Sequence, residues 1–240
     1  MKFQNLMPLI LISLSLASIA QNTYTSQMVG WFSVTEKVLL NDSWNVSLNI
    51  QQRQFTKTNG SFQFLTSASV ENQLNKSFFA GIGFMYFDFR LMNPVSSELI
   101  DLTELRPYEF VSLKYRKNNI KFFNRIMLEQ RFQRHLGNEG VITENYHFNH
   151  RIRIKWQITL PVNGNLSFIL SDEPMINFGP DINGNTFDQN RLIALASYNI
   201  QENLTLRTGY MNWLFNNIGG STFDIRHVWL VQLNHIIKRV

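Results

Sequence analysis

Apolar and polar side chains alternate along this chain in short runs that begin again about every 20 residues, from Gln27 to the C-terminus. In residues 44–51, for example, Trp, Val, Leu and Ile occupy every second position, and Asn, Ser and Gln occupy the positions between them. Successive side chains of a strand point to opposite faces of a sheet, so this alternation requires strands that separate two unlike environments. The pattern predicts an all-β chain, and no helical period competes with it.

The N-terminus predicts a secretory signal peptide at residues 1–20. Lys2 precedes an apolar run at residues 6–16, and the small residues at 17–20 suit cleavage before Gln21. Residues 21–240 are predicted to form a single domain, without the run of about 18 uncharged apolar residues that would indicate a transmembrane helix. The chain has no cysteine, which excludes disulfides and thiolate metal sites.

Turn residues divide the remainder of the chain into eleven candidate strands. They are residues 27–37, 44–54, 62–73, 77–90, 105–116, 120–135, 143–158, 165–178, 186–199, 203–215 and 222–238. Tight connections alternate with longer ones, as in outer-membrane barrels, and the longest, residues 91–104, is predicted to be an extracellular loop. We therefore expect a closed antiparallel transmembrane β-barrel of ten to twelve strands. Because bacterial barrels use even numbers, ten or twelve is favoured over eleven.

The two faces of these strands differ in chemistry. One face is apolar: Val46, Leu48, Ile50, Ile126, Leu128, Ile152, Ile154, Trp156, Leu166, Phe168, Leu170, Trp229, Val231 and Leu233. Aromatic residues recur near strand ends, as in the girdles at membrane interfaces: Phe55, Phe62, Tyr86, Tyr115, Tyr146, Trp156, Tyr198, Tyr210 and Trp213. These features favour an apolar face toward lipid, although a soluble β-sandwich or ligand-binding barrel would turn the same face inward.

The opposite face is predicted to line the barrel and is mainly basic. Eleven basic and four acidic residues are assigned to it: Arg53, Lys114, Arg116, Arg125, Arg131, Arg151, Arg153, Lys155, Arg191, Arg207 and Arg226 against Glu71, Glu129, Glu173 and Asp224. All except Glu71, Lys114 and Arg116 form the predicted lumen-lining charge network. Rings of Arg and Lys would favour anions, whereas arginine–carboxylate pairs would fill and close a narrow barrel, and both interpretations stay open. Since Arg151 shares its face with Arg153 and Lys155, Arg151→Gln is expected to leave the fold intact.

Five segments resemble an uncharacterised family of Gram-negative outer-membrane β-barrel proteins, a domain of unknown function. They are residues 128–132 (LEQRF), 149–153 (NHRIR), 171–174 (SDEP), 187–192 (FDQNRL) and 209–211 (GYM). The resemblance extends from about residue 28 to residue 235. It implies an outer-membrane barrel, and it implies no activity and no catalytic residue. The chain ends in IIKRV, whereas barrels of this type often finish on an aromatic residue.

No catalytic residue, metal site or cofactor is predicted. The five histidines are scattered, and no G-x-S-x-G motif is present. The loop at residues 181–185 lacks the closing Glu of a calcium loop. The acidic residues Asp172, Glu173 and Asp188 lie beside predicted turns, where such side chains normally satisfy backbone groups.

We expect a protein of the outer membrane with a structural role or a role in the passage of small solutes, anions among them. Its expected partners are outer-membrane lipid and the barrel-assembly machinery. The basic residues are spread over the strands, which argues against nucleic acid as a partner. Two alternatives stay open: an outer-membrane enzyme that acts on lipid or lipid-linked sugar through Glu129, Glu173 or Asp188, and a soluble periplasmic ligand-binding barrel.

Overall fold

The structure, a computed structural model, describes residues 23–56, 62–93, 96–134, 141–180, 182, 186–216 and 222–238. Within these residues the chain forms β1 (Thr23–Leu39), β2 (Trp44–Phe55), β3 (Phe62–Gln73), β4 (Phe78–Met92), β5 (Leu99–Lys117), β6 (Ile120–Gln133), β7 (His147–Pro161), β8 (Leu166–Phe178), β9 (Phe187–Gln201), β10 (Leu204–Asn216) and β11 (Thr222–Lys238). These strands close into one barrel. No helix in the described part of the chain has the length and apolarity to cross a bilayer. The predicted signal peptide lies outside the described residues.

The barrel closes through a parallel pair of strands. Each strand pairs with the next in antiparallel register, and β1 then pairs with β11 in parallel, from Thr23 opposite Thr222 to Leu39 opposite Lys238. Because direction reverses at every antiparallel step, an odd number of strands leaves the first and the last pointing the same way. The preference for ten or twelve strands was therefore wrong: β1 is one continuous strand of 17 residues, and the described strands number eleven.

The apolar face of the strands points outward. Leu48 and Ile50 of β2 are 52% and 53% exposed, and Trp229 of β11 is 64% exposed. A soluble barrel would bury these side chains, whereas a barrel in a bilayer turns them toward lipid and satisfies its backbone by closure. The arrangement confirms the predicted transmembrane β-barrel and argues against the soluble alternative.

Two of the aromatic residues predicted for the interfacial girdle point into the barrel instead. Tyr210 lies on the outer face as expected, but Phe55 and Trp213 are only 6% and 3% exposed and belong to an apolar cluster inside the barrel. The reason is that every second side chain of a strand points the same way. Phe55 lies two residues after the inward-facing Arg53, and Trp213 lies two residues after the inward-facing Met211. A position near the end of a strand therefore does not by itself place an aromatic ring at the membrane interface.

Asparagine side chains build several of the tight turns. The Oδ1 atoms of Asn41, Asn75 and Asn163 each accept hydrogen bonds from the backbone N–H groups two and three residues further on, at 2.8–3.0 Å. Asn118 and Asn119 join β5 to β6 with positive φ angles of 48° and 66°. Asparagine tolerates that left-handed conformation better than other residues with side chains, which suits it to a two-residue hairpin turn. All these turns lie at one end of the barrel.

The predicted loop at residues 91–104 is mostly strand. β4 continues to Met92 and β5 begins at Leu99, so the connection comprises only residues 93–98. Arg90 and Asp101 face each other in this extension, with Nε 2.7 Å from Oδ1, and both are exposed. Where strands rise above the hydrocarbon, both of their faces meet water, so the alternation of apolar and polar residues disappears. The segment therefore resembles a loop in sequence although it is paired.

We expect Leu48→Arg to block assembly of the barrel, because a charge on the lipid face costs up to about 2–4 kcal/mol. Asn49→Arg is the matched control, since Asn49 is the next residue of β2 and its side chain points into the barrel, where Nδ2 donates to Thr35 Oγ1. The measurement is the fraction of protein that migrates as a folded, heat-modifiable band after refolding into lipid vesicles. Equal loss in the two variants would show that the faces are assigned wrongly.

Candidate functional site: the charged interior of the barrel

The inner wall carries the charged side chains of the polar face. The structure directs all twelve residues of the predicted network into the barrel: Arg53, Arg125, Glu129, Arg131, Arg151, Arg153, Lys155, Glu173, Arg191, Arg207, Asp224 and Arg226. They do not form one uniform network. An ion-paired group occupies β5 to β9, and cations with few carboxylate neighbours occupy much of the remaining wall.

Glu129 on β6 lies at the centre of the ion-paired group. Arg151 Nε donates to Glu129 Oε2 at 2.7 Å, and Arg153 Nη1 donates to Oε1 at 2.7 Å. Arg106 Nη1 lies 3.7 Å from Oε2. These arginines project from β7 and β5, which flank β6. One carboxylate, with 0% exposure, therefore connects three neighbouring strands.

Two further carboxylates extend the pairing around the wall. Arg151 Nη1 donates to Asp188 Oδ2 on β9 at 2.7 Å. Arg153 Nη2 donates to Glu173 Oε1 on β8 at 2.9 Å, and Arg125 Nη2 donates to the same oxygen at 3.1 Å. Each central arginine thus joins two carboxylates, so the charges form a chain rather than separate pairs.

Glu104 on β5 completes the group. It accepts hydrogen bonds from Arg106 Nε at 2.5 Å and from Arg131 Nε at 2.7 Å. Arg131 Nη1 also donates to Asn177 Oδ1 at 3.2 Å. We call the whole group the ion-pair belt: Glu104, Arg106, Arg125, Glu129, Arg131, Arg151, Arg153, Glu173 and Asp188.

Burial makes the pairing of the belt obligatory. The side chains of its four carboxylates are between 0% and 6% exposed. Moving a charge out of water costs several kcal/mol per ion, so a buried charge persists only when partners replace the lost hydration. The belt therefore ties β5 to β9 together and fills that side of the lumen.

The belt also corrects several expectations. Asp188 was expected to satisfy turn backbone, but it points inward and accepts from Arg151, whereas Glu173 points inward as the predicted lumen-lining network requires. Glu104 was assigned to a loop, and Arg106 was left off the polar face. The two lie at alternate positions of β5 and so share a face. The signal that could have identified Glu104 and Arg106 was the placement of two opposite charges at alternate positions, two residues apart, because such a pair can face the lumen even where the apolar–polar alternation is weak.

A second group of arginines surrounds two tryptophans. The guanidinium carbon of Arg53 lies 3.7 Å from the centre of the Trp31 ring, and the rings of Trp31 and Trp213 are 5.9 Å apart. Arg226 and Arg191 lie 4.6 Å and 5.1 Å from the centre of the Trp213 ring. We call these five residues, from β1, β2, β9, β10 and β11, the arginine–tryptophan cluster. The faces of the rings attract the guanidinium cations electrostatically.

Carboxylates are scarce around this cluster. Arg53 donates to the amide oxygens of Gln51 and Gln63, at 2.8 Å and 3.0 Å. No carboxylate of the described residues lies within 4.0 Å of its nitrogens. Arg191 and Arg226 lie 4.0 Å and 3.6 Å from their nearest carboxylates, distances too long for hydrogen bonds. The cluster therefore keeps a net positive charge in a buried place.

Gln189 connects the belt to the cluster. Its amide nitrogen donates to Asp188 Oδ2 at 2.9 Å, on the side of the belt. Its amide oxygen accepts from Trp213 Nε1 and from Arg191 Nη2, on the side of the cluster. The two groups are thus joined by one buried side chain, which the sequence pattern did not single out.

Toward the tight turns the lumen is wetter and remains basic. Glu71 accepts from Lys37 at 3.3 Å and from Lys114 at 3.0 Å, and these two lysine side chains are 28% and 35% exposed. Lys155 and Arg207 also point inward, and neither has a carboxylate of the described residues within 4.0 Å. A cavity of about 420 Å³ lies at this mouth, beside Lys37. The described residues at the end of the tight turns are therefore accessible to water.

The interior offers no free catalytic base at the positions considered for an enzyme. Glu129, Glu173 and Asp188 each accept from at least one arginine. Among the described residues, no group of three or more His, Asp and Glu side chains could hold a metal ion. Most of the loop at residues 181–185 lies outside the described residues.

Comparison with known proteins supports the family and the fold. The model of a family described as "Protein of unknown function (DUF2490)" matches residues 28–224. No curated protein matches the chain. The chain is similar to a solved structure described as "NanC porin structure in rhombohedral crystal form", with a TM-score of 0.53 and 11% sequence identity over 86% of this chain and 97% of that chain. At that identity the likeness concerns the fold alone.

The belt refines the expectation for Arg151→Gln: the variant is still expected to fold, but into a less stable barrel. Arg151 donates to both Glu129 and Asp188, so its loss removes one arginine partner from each of two buried carboxylates and is expected to lower the free energy of unfolding by about 3–5 kcal/mol. Arg53→Gln is the matched control. Arg53 has no carboxylate partner in the described part of the chain, and relief from neighbouring cations offsets the lost contact with Trp31, so the expected change is under about 1 kcal/mol. Urea unfolding of the two refolded variants in detergent measures both values, and equal destabilisation would contradict the division into two groups.

Proposed function

The chain belongs to the family described as protein of unknown function (DUF2490), and because membership assigns no activity, we propose from its interior that it is an outer-membrane β-barrel that passes small solutes, preferentially anions. The outward apolar face and the expected signal peptide at residues 1–20 support the location. The likeness of the fold to a solved porin agrees with it.

The observation that carries the proposal is the imbalance of charge on the inner wall. Carboxylates offset the arginines of the belt, but Arg53, Lys155 and Arg207 point into the lumen with no carboxylate of the described residues within 4.0 Å. Unpaired cations along a narrow passage attract anions and repel cations. The path narrows at the belt and the arginine–tryptophan cluster, where side chains are nearly inaccessible to water.

The burial of the belt favours a second candidate function. A lumen filled by hydrogen-bonded ion pairs would hold the barrel shut, and the protein would then have a structural role in the outer membrane. Glu129 at 0% exposure and Arg151 at 2% exposure are the observations for this candidate. The two candidates differ in whether the folded protein conducts ions.

In planar lipid bilayers, the refolded protein is expected to give small conductance steps with anion selectivity. Arg207→Gln is expected to move the reversal potential in a KCl gradient toward zero, because it removes an unpaired cation from the lumen. Lys76→Gln, in an exposed tight turn, is the control and should leave the potential unchanged. A silent wild-type protein together with a conducting Glu129→Gln variant would contradict passage and favour the closed barrel.

The tight turns are expected to face the periplasm, and residues 93–98 the cell exterior. The chain has no cysteine, so single substitutions report the sidedness of each end. A membrane-impermeant maleimide should label Ser96→Cys on intact cells, and Gly164→Cys only after the outer membrane is opened. Gly164 lies in the turn between β7 and β8, where an added Cβ meets no atom within 4 Å. The reverse result would invert the orientation, and recovery of the protein in a detergent-free extract would contradict the location.

A further inference from the structure

Arg53 is the most buried of the described inner-wall cations that have no carboxylate of the described residues within 4.0 Å. Its side chain is held by two glutamine amide oxygens and by the face of the Trp31 ring, and the residue is 4% exposed. The charged groups that act on it most strongly are other arginines, with Arg191 first and Arg106 next. Like charges at close range in a place of low dielectric constant repel strongly. An oxyanion among these guanidinium groups would remove that repulsion.

The cluster also contains hydrogen-bond donors without acceptors. The Nε–H groups of Arg53, Arg191 and Arg226 are buried, and none has a partner among the described residues. In the belt the Nε–H groups of Arg125 and Arg153 also lack a partner, but each of those arginines donates to a carboxylate through another nitrogen, which, among the described residues, no arginine of the cluster does. A buried donor without an acceptor is destabilising, so three of them in one place favour the binding of a ligand that carries oxygen atoms.

The tryptophan rings hold the guanidinium groups in orientation. Arg53 stacks on Trp31 at 3.7 Å, and Trp213 contacts both Arg191 and Arg226 with its ring. A guanidinium group that stacks on a ring by its face leaves its in-plane N–H groups able to donate, and in Arg53 these reach Gln51 and Gln63 while the Nε–H group has no partner among the described residues. The planar fork of such donors fits carboxylate and phosphate oxygens. The stacking therefore fixes an edge suited to an oxyanion before any ligand arrives.

We propose that the arginine–tryptophan cluster is a binding site for a small oxyanion, a carboxylate or a phosphate. The site rests on the proposed function in that it lies in the same lumen and would be the point at which a passing anion is held. Cations are repelled there, and neutral solutes would leave the charges uncompensated. Chloride compensates the charge but offers a single atom to both donors of a fork, whereas a carboxylate or phosphate offers each donor its own oxygen, so oxyanions bind more tightly than halide.

The test uses the full chain refolded in detergent and measures the fluorescence of the two tryptophans of the cluster. Trp44, Trp156 and Trp229 are replaced by Phe, so that fluorescence reports Trp31 and Trp213. Inorganic phosphate and sodium acetate are titrated against sodium chloride at constant ionic strength. A saturable fluorescence change with at least one of the two oxyanions, and none with chloride at equal concentration, is the expected result.

Two substitutions of Arg53 distinguish the contribution of its positive charge to binding from that of its planar fork of N–H donors. Arg53→Gln should weaken binding at least tenfold, and Arg53→Lys should restore part of it, because lysine keeps the charge but not the planar fork. Arg116→Gln, in the exposed mouth of the barrel, is the matched control and should bind as the parent does. Each variant is first shown to be folded by heat-modifiable migration. If Arg53→Gln does not fold, Arg226→Gln takes its place with the same expectation.

The outcomes separate this site from the proposed passage. Unchanged affinity in the folded Arg53→Gln variant, or a linear response to both oxyanions, overturns the site. Saturable binding in a protein that never conducts supports the site and overturns passage alone. Anion-selective conductance without saturable binding supports passage and overturns the site alone.

Discussion

Closure of the sheet is the constraint on which the rest of this structure depends. Hydrocarbon offers no partner to a backbone N–H or C=O group, so a sheet that spans a bilayer must pair both of its edges. Eleven strands meet this demand by a parallel pairing of β1 with β11 along their whole length. Closure also fixes the two faces, because side chains alternate along each strand and only one face can meet lipid. The polar residues, which cannot face lipid, point into a narrow lumen. Bulk water does not solvate them there, so each charge needs a carboxylate, an amide or an aromatic ring as its neighbour.

The interior satisfies this demand in two different ways. From β5 to β9, carboxylates and guanidinium groups alternate closely enough that arginines such as Arg151 and Arg153 each join two acids. On the remaining wall, aromatic rings and amide oxygens replace carboxylates, as at Arg53. Rings and amides hold a guanidinium group in place without neutralising it. On the first wall every arginine of the belt therefore has a carboxylate partner, and on the second the arginines keep their positive charge largely uncompensated. That difference is the physical basis of both proposals for the lumen.

The sequence predicts the parts of the fold that lie within the bilayer, because contact with lipid requires an apolar residue at every outward-facing position. The predicted strands at residues 44–54 and 120–135 differ from β2 (Trp44–Phe55) and β6 (Ile120–Gln133) by one or two residues at an end, because the alternation within the bilayer is strict. The sequence could not predict which charges meet. Arg151 and Asp188 are 37 residues apart, and their contact depends on the register of three strands. Nor could it predict the parallel seam or the extension of β5, where water on both faces removes the alternation.

Gln189 shows why the two walls are not independent. A glutamine amide has one accepting end and one donating end, and here the oxygen faces Trp213 and Arg191 while the nitrogen faces Asp188. If the amide turned over, its NH₂ group would meet the donors of the cluster and its oxygen would meet a carboxylate, so both ends would be repelled. The orientation is therefore held by both walls at once. A change of charge at Arg191 acts on Gln189, then on Asp188, and through it on Arg151. The wall of the cluster and the wall of the belt form one electrostatic unit, in which whatever neutralises the arginine–tryptophan cluster also alters the force on the belt.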